Sequence, residues 1–283
     1  MKILVTGSKG QLGKTLLARQ PDDITIVGVD RDDIDIAEAG EVEALVKHEK
    51  PKLIVNAAAY TAVDRAESDE HDARRVNVVG PRNLAATGVR IIHISTDFVF
   101  DGEAREPYKP DDATNPLSVY GRSKRDGEIA LRELAHDDSI VLRTAWLYSE
   151  HGGNFVDTML RLMRSRDELR VVNDQVGSPT WARSLADVIL AMATSDWRPG
   201  TYHWTDGGQC SWYDFACAIH DEALALGLLD KAVAIHPIPS TEYPVPAARP
   251  SYSVLDCSST MAEFDVAQTP WRDNLRNMLE EMS

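Results

Sequence analysis

The chain has 283 residues, 43% of them hydrophobic, with 45 acidic against 30 basic side chains and a formal net charge of −15. That length and apolar content can fill one large α/β domain or a nucleotide domain carrying a smaller lobe, whereas the acidic field opposes nonspecific binding to nucleic acid or anionic lipid. No apolar run nears the roughly 18 residues of a membrane span, and Ile3-Leu4-Val5 is too short for a signal-peptide core, which places the protein in the cytoplasm. Cys210, Cys217 and Cys257 are widely spaced with no C-x-x-C pair, so neither a disulfide framework nor a zinc site is expected.

Residues 2–6 read as a short apolar strand. Gly7-Ser8-Lys9-Gly10-Gln11-Leu12-Gly13 follows as a glycine-rich turn, and Leu12, Leu16 and Leu17 give the next segment a helical stripe. Glycines spaced in this way between a first strand and a first helix let backbone approach a pyrophosphate at a helix N-terminus. A second strand over 24–29 ends in Asp30, where a dinucleotide fold places its ribose-binding carboxylate. Arg31 comes next, and a guanidinium there suits a 2′-phosphate, so NADH and NADPH both stand.

A helix over 38–50 and a strand over 52–55 lead to Asn56-Ala57-Ala58-Ala59-Tyr60-Thr61, whose small side chains let a flat cofactor lie close at the carboxyl end of the strand. Residues 69–86 read as one helix, and a fourth strand over 89–94 ends in Ser95-Thr96-Asp97. Such a run is commonly a turn or helix cap, but its hydroxyl can also polarise a carbonyl. A proline-rich loop over 98–118 then delivers Tyr120-Gly121-Arg122-Ser123-Lys124. A Tyr and a Lys four apart share one helix face, where the ammonium is expected to lower the phenol from its ordinary pKa of about 10 and supply a proton donor near neutrality. The bland alternative is a Lys stem covering an exposed ring. The glycine turn upstream favours the chemistry.

A fifth strand spans 139–144, and the alternation decays after Trp146. Residues 1–146 are expected to form a dinucleotide-binding domain and 147–283 a substrate lobe, with about 181–205 returning to the first. The second part should hold a helix over 154–163, a strand over 169–172, a turn over 175–180 leading to a helix through 192, a strand over 200–204, a helix over 212–227, a strand over 234–238, a proline-broken loop over 240–250 containing Arg249, and a last helix from about Trp271. The fold class is α/β, a Rossmann-type doubly wound parallel sheet with a smaller C-terminal α/β lobe.

Taken together, Gly7, Gly10, Gly13, Asp30, the Ser95-Thr96-Asp97 run and Tyr120-x-x-x-Lys124 resemble the extended short-chain dehydrogenase/reductase superfamily. More narrowly, Ala57-Ala58-Ala59-Tyr60-Thr61-Ala62-Val63-Asp64, Ser95-Thr96-Asp97-Phe98-Val99-Phe100-Asp101-Gly102, Arg143-Thr144-Ala145-Trp146, Asn154-Phe155, Asp174-Gln175-Val176-Gly177-Ser178-Pro179-Thr180 and Arg249-Pro250 resemble the dTDP-4-dehydrorhamnose reductase family. The resemblance spans nearly the whole chain. It implies NADPH- or NADH-dependent reduction of dTDP-4-dehydro-L-rhamnose to dTDP-L-rhamnose.

By that resemblance Gly7, Gly10, Gln11, Leu12 and Gly13 would hold the pyrophosphate, Asp30 (with Arg31 beside it) the adenosine ribose, and Asp35 and Ile36 the adenine. Ala58, Ala59 and Thr61 would line the cofactor. Tyr120 would protonate the C4 oxygen, Lys124 would bind the nicotinamide ribose and depress the phenol, and Thr96 would orient the substrate carbonyl. Asp97, Phe98, Trp146, Asn154 and Arg249 would face the sugar nucleotide, Arg249 as a bidentate clamp on its diphosphate. Phe98 departs from the Tyr common at its position, which puts the identity of the sugar in question. Some family members hold Mg²⁺ at a dimer contact through glutamates that find no match here, so no metal is assigned. A sugar-nucleotide epimerase with retained NAD uses the same residues, and a noncatalytic regulatory subunit like the β subunit of methionine adenosyltransferase uses the same fold. Intact Tyr120 and Lys124 speak against the latter. A homodimer is the default state for a soluble oligomer.

Overall fold

Unbroken apolar runs such as Ile3-Leu4-Val5 and Leu53-Ile54-Val55 suit strands buried on both faces. In the computed structural model, which describes residues 1–282, they lie in the middle of a six-stranded parallel sheet. Its strands are β1 (Lys2–Thr6), β2 (Thr25–Val29), β3 (Leu53–Asn56), β4 (Arg90–Thr96), β5 (Ser139–Thr144) and the later strand Gly200–His203. Across the sheet they run β2, β1, β3, β4, β5, then Gly200–His203, which pairs in parallel with residues 140–143.

Side chains two apart point the same way. Ile3, Val5, Leu53, Val55 and Ile92 therefore pack on one side against Leu12 and Leu16 of helix α1 (Gln11–Ala18) and against Leu185, Val188 and Ile189 of the helix Ala182–Thr194. Leu4, Ile54, Ile91 and Val141 pack on the other side with Leu84, Leu131 and Val42 of the helices there. This is the doubly wound α/β arrangement that the sequence pattern predicts. A second apolar core joins the helices Phe155–Ser165, Trp212–Ala225 and Trp271–Glu280 around Phe215. The strands Glu168–Val172 and Ala234–Ile238 pair in parallel beside it.

The segment expected as one helix over 69–86 departs from that form. It runs as α-helix over Glu70–Arg74, π-helix over Arg75–Val79 and α-helix again over Gly80–Ala85. The wider turn holds Asn77, whose amide nitrogen donates to the Tyr60 carbonyl (3.1 Å) and Ser123 Oγ (2.9 Å) while its oxygen accepts from the Tyr60 backbone N–H (2.9 Å). π-Bulges of this kind re-aim side chains at sites. Short helices at Val63–Ala66 and Ser258–Phe264 add to the expected elements, and Asn154 caps its helix rather than opening it, its Oδ1 accepting from the Asp157 N–H at 3.1 Å. Among the described residues no helix is long and apolar enough to cross a membrane.

Candidate active site

All six parallel strands end their carboxyl termini at one edge of the sheet, where open α/β proteins hold ligands. A cleft of about 960 Å³ lies there, lined by the glycine turn, the loops after β2 and β3, the end of β4 and the start of the helix Val119–Ala135. Gly7 turns the chain with φ +72°, and a Cβ on it would fall 2.7 Å from the Ala58 backbone nitrogen. On Gly13 a Cβ would fall 2.3 Å from the Gly7 carbonyl oxygen. Gly10 caps α1 without a side-chain acceptor, leaving first-turn N–H groups for an anion. Bare backbone closely packed at an open helix N-terminus fits a dinucleotide pyrophosphate.

Gln11, Leu12, Asp30, Arg31, Asp35, Ile36, Ala58, Ala59 and Thr61 also line this cleft, so every residue expected at the cofactor is brought together there. The Asp30 carboxylate accepts from the backbone N–H of Lys9 (2.8 Å) and of Arg31 (2.9 Å), which pins the end of β2 to the glycine turn. Lys9 and Arg75 line the same rim, a pair that sequence spacing did not single out. Arg75 comes from the π-helical turn and is paired with Asp35 and Glu38, so only the fold could place it.

At the inner end Thr96 and Tyr120 lie side by side. Thr96 Oγ1 donates to Asp97 Oδ1 (3.1 Å) and accepts from the Phe98 N–H (3.2 Å), so the hydroxyl caps the turn after β4 as well as lining the cleft. The Phe98 ring meets the Tyr120 ring edge-on at 5.7 Å. Ser118 caps the Tyr120 helix by accepting from the Gly121 N–H (3.1 Å), and Gly121 admits the Phe98 carbonyl so closely that a Cβ would fall 2.2 Å from it.

The electrostatics correct one expectation. Tyr120 and Lys124 do share a helix face, but burial pushes the phenol up to about 12, with the neighbouring Thr96 hydroxyl opposing the rise and the Asp97 charge adding to it. Two contacts hold the ammonium: Lys124 Nζ donates to the Ile94 carbonyl (2.6 Å) and lies 3.5 Å from His93 Nε2. Burial pulls Lys124 itself down to about 8 and lifts the Asp97 carboxyl to about 6. One Asp97 oxygen, Oδ2, is buried without a hydrogen-bond partner.

On the outer side Trp146 and Trp212 stack face to face, 3.5 Å between centroids and 7° between planes, and both line the cleft. Trp146 adopts the left-handed conformation (φ +48°) over Gly177, whose absent side chain leaves room for the indole, since a Cβ would fall 2.7 Å from Trp146 Cε2. Trp212 carries no sequence signal of its role. Asn154 and Arg249 do not line the cleft. Asn154 donates to Gln11 Oε1 (2.9 Å) and caps its helix, and Arg249 is paired with Asp64.

A carboxyl-edge cleft with a bare glycine cradle at one end and a Thr-Tyr-Lys group at the other can hold a dinucleotide against a carbonyl. The family described as RmlD substrate binding domain matches residues 1–283. Over 288 aligned residues the chain is 40% identical to the dTDP-4-dehydrorhamnose reductase of Aggregatibacter actinomycetemcomitans, with 98% of each protein covered. This chain belongs to the dTDP-4-dehydrorhamnose reductase family. Two solved members of that family share its structure. The Clostridium acetobutylicum dTDP-4-dehydrorhamnose reductase superposes with TM-score 0.94 at 39% identity, covering 100% of this chain and 99% of the other. The Bacillus anthracis enzyme, solved in complex with NADP, superposes with TM-score 0.92 at 36% identity, covering 99% of each.

Proposed function

We propose that this protein reduces dTDP-4-dehydro-L-rhamnose to dTDP-L-rhamnose with NADPH. The observation that carries the proposal is the pairing of Tyr120 and Thr96 at the inner end of a cleft whose outer end is the glycine cradle. Bound nicotinamide would supply the hydride to C4 of the sugar. Tyr120 then gives its proton to the C4 oxygen, and a phenol held near 12 by burial is fully protonated at neutral pH, which is the form a general acid needs. Thr96 orients the carbonyl. Lys124 would hold the nicotinamide ribose through the N–H not used on Ile94 and His93.

For the cofactor, the NADP complex of the Bacillus anthracis relative supports NADPH. So does the rim, where Asp30 is engaged by backbone N–H groups and Arg31 brings positive charge near a 2′-phosphate, while Lys9 is paired with Asp32 and Arg75 with Asp35 and Glu38. Residues 1–146 would hold the cofactor and 147–283 the sugar nucleotide, with the segment through Gly200–His203 completing the sheet. The stacked Trp146 and Trp212 would form an aromatic wall beside the sugar nucleotide.

Purified protein given NADPH and dTDP-4-dehydro-L-rhamnose should consume the absorbance of reduced nicotinamide and yield dTDP-L-rhamnose. No consumption with either NADPH or NADH rejects the proposal. An NADPH preference of at least about tenfold in kcat/KM, the factor that 1.4 kcal/mol gives, is expected and should shrink in Arg31→Ala.

A further inference from the structure

Beneath the cleft, four buried polar side chains from four elements are joined end to end. Thr6 Oγ1, at the end of β1, donates to Asn56 Oδ1 at the end of β3 (2.7 Å); Asn56 Nδ2 meets His93 Nδ1 in β4 (2.9 Å); and His93 Nε2 faces Lys124 Nζ at 3.5 Å. None of the four is more than 2% exposed. Apolar side chains at these central positions would pack without desolvating polar groups, so the string carries a burden that the fold itself does not require. Its two ends, Thr6 and Lys124, both line the cleft.

Hydrogen-bond accounting couples the four groups. Lys124 as an ammonium has three N–H donors; one goes to the Ile94 carbonyl at 2.6 Å, and a second needs a lone pair at His93 Nε2. The ring is then neutral with its proton on Nδ1, and that proton needs the Asn56 amide oxygen, which turns the amide nitrogen toward Thr6. With the amide nitrogen toward His93 instead, the ring proton moves to Nε2 and points at Lys124, an arrangement only a neutral amine accepts.

We propose that His93 is a positioning residue which, backed by Asn56 and Thr6, holds the Lys124 ammonium with one N–H free for the cleft and changes tautomer when Lys124 loses its proton. Burial holds His93 well below the ordinary histidine range, so the ring stays neutral throughout. The other charged groups near Lys124 leave this role to His93. On its own helix Glu128 favours the ammonium but is bound by Arg143 of β5 and by Ser95 of β4; Tyr120 and, beyond β4, Asp97 stand at the inner end of the cleft.

The test uses the full chain, and only its activity arm rests on the reductase proposal. In wild-type protein labelled with ¹⁵N-histidine, the His93 ring should carry its proton on Nδ1 at pH 6 and on Nε2 once ¹³C-lysine signals show Lys124 deprotonated; a single tautomer throughout overturns the proposal. His93→Gln places an amide oxygen near the Nε2 position, and His93→Asn reaches only the Nδ1 position. His93→Asn should lower the Lys124 pKa by about one, the worth of one hydrogen bond to a charged group, and shift the alkaline limb of kcat/KM equally, whereas His93→Gln should restore both. A His93→Asn protein in which Lys124 titrates as in wild type also overturns the proposal. If the titrations follow expectation while no substrate turns over, the reductase reading falls and this one stands.

Discussion

Arg249 donates from Nη1 to Asp64 Oδ1 at 3.1 Å and from Nη2 to Asp64 Oδ2 at 2.9 Å, tying the proline-rich loop over 240–250 to the segment that follows β3. The Ala247 N–H adds a third bond to the same carboxylate at 3.2 Å. The pair is partly exposed, 24% for Arg249 and 40% for Asp64, so its net worth to stability is about 1 kcal/mol or less. Asp64→Asn is expected to leave Tm within a few degrees of wild type while limited proteolysis within 240–250 accelerates severalfold. Equal cleavage rates would mean that other contacts hold the loop.

Tyr120→Phe removes one hydroxyl and keeps the ring edge that packs on Phe98. The fold should survive. Turnover should fall by about 10²- to 10⁴-fold, the range for a lost general acid, with affinity for the reduced nicotinamide cofactor unchanged in a fluorescence titration. Because the phenol sits near 12, wild-type activity should show no limb from Tyr120 below pH 10.

Asp97 offers a trade between stability and function. Its carboxyl is buried, one oxygen lacks a partner, and its folded pKa of about 6 lies above the ordinary 3.8. A raised folded pKa means that the protonated group's contribution is complete below pH 3.8 and is lost as pH rises through about 6. At pH 8 the loss is on the order of 2–3 kcal/mol. Asp97→Asn should therefore raise Tm relative to wild type at pH 8 more than at pH 5, while kcat/KM falls. A Tm difference independent of pH would show that Asp97 is not buried as an ionisable group.

Gly121 matters through space it leaves empty. A Cβ there would lie 2.2 Å from the Phe98 carbonyl oxygen, a backbone atom with no freedom to move aside. Gly121→Ala should cost about 1–3 kcal/mol in urea unfolding, as overpacking does, and reduce kcat/KM beyond what the stability loss explains, because the same shift carries Tyr120 away from Thr96. A variant with wild-type kinetics would show that the helix absorbs the methyl group without moving Tyr120.

Local pattern was enough to determine the sheet and much of the cleft. Unbroken apolar runs specify strands buried on both faces, and helices alternating with those strands make the connections crossovers, so the strands run parallel and their carboxyl ends share one edge. Gly7 and Gly13 mark the cradle because no other residue type admits the Ala58 and Gly7 backbones so closely, and Gly10 caps the helix between them. The spacing of Tyr120 and Lys124 sets them on one helix face. Where the Lys124 nitrogen points is another matter: it is decided by Ile94 and His93, about 30 residues earlier in the chain, and so the expected lowering of the phenol gives way to burial. The same holds for Trp212 against Trp146, for Arg75 on a π-helical turn and for Arg249 on Asp64. Each of these depends on two distant segments meeting, and hydrogen-bond and stacking partners chosen across such distances leave no periodicity for a sequence to display.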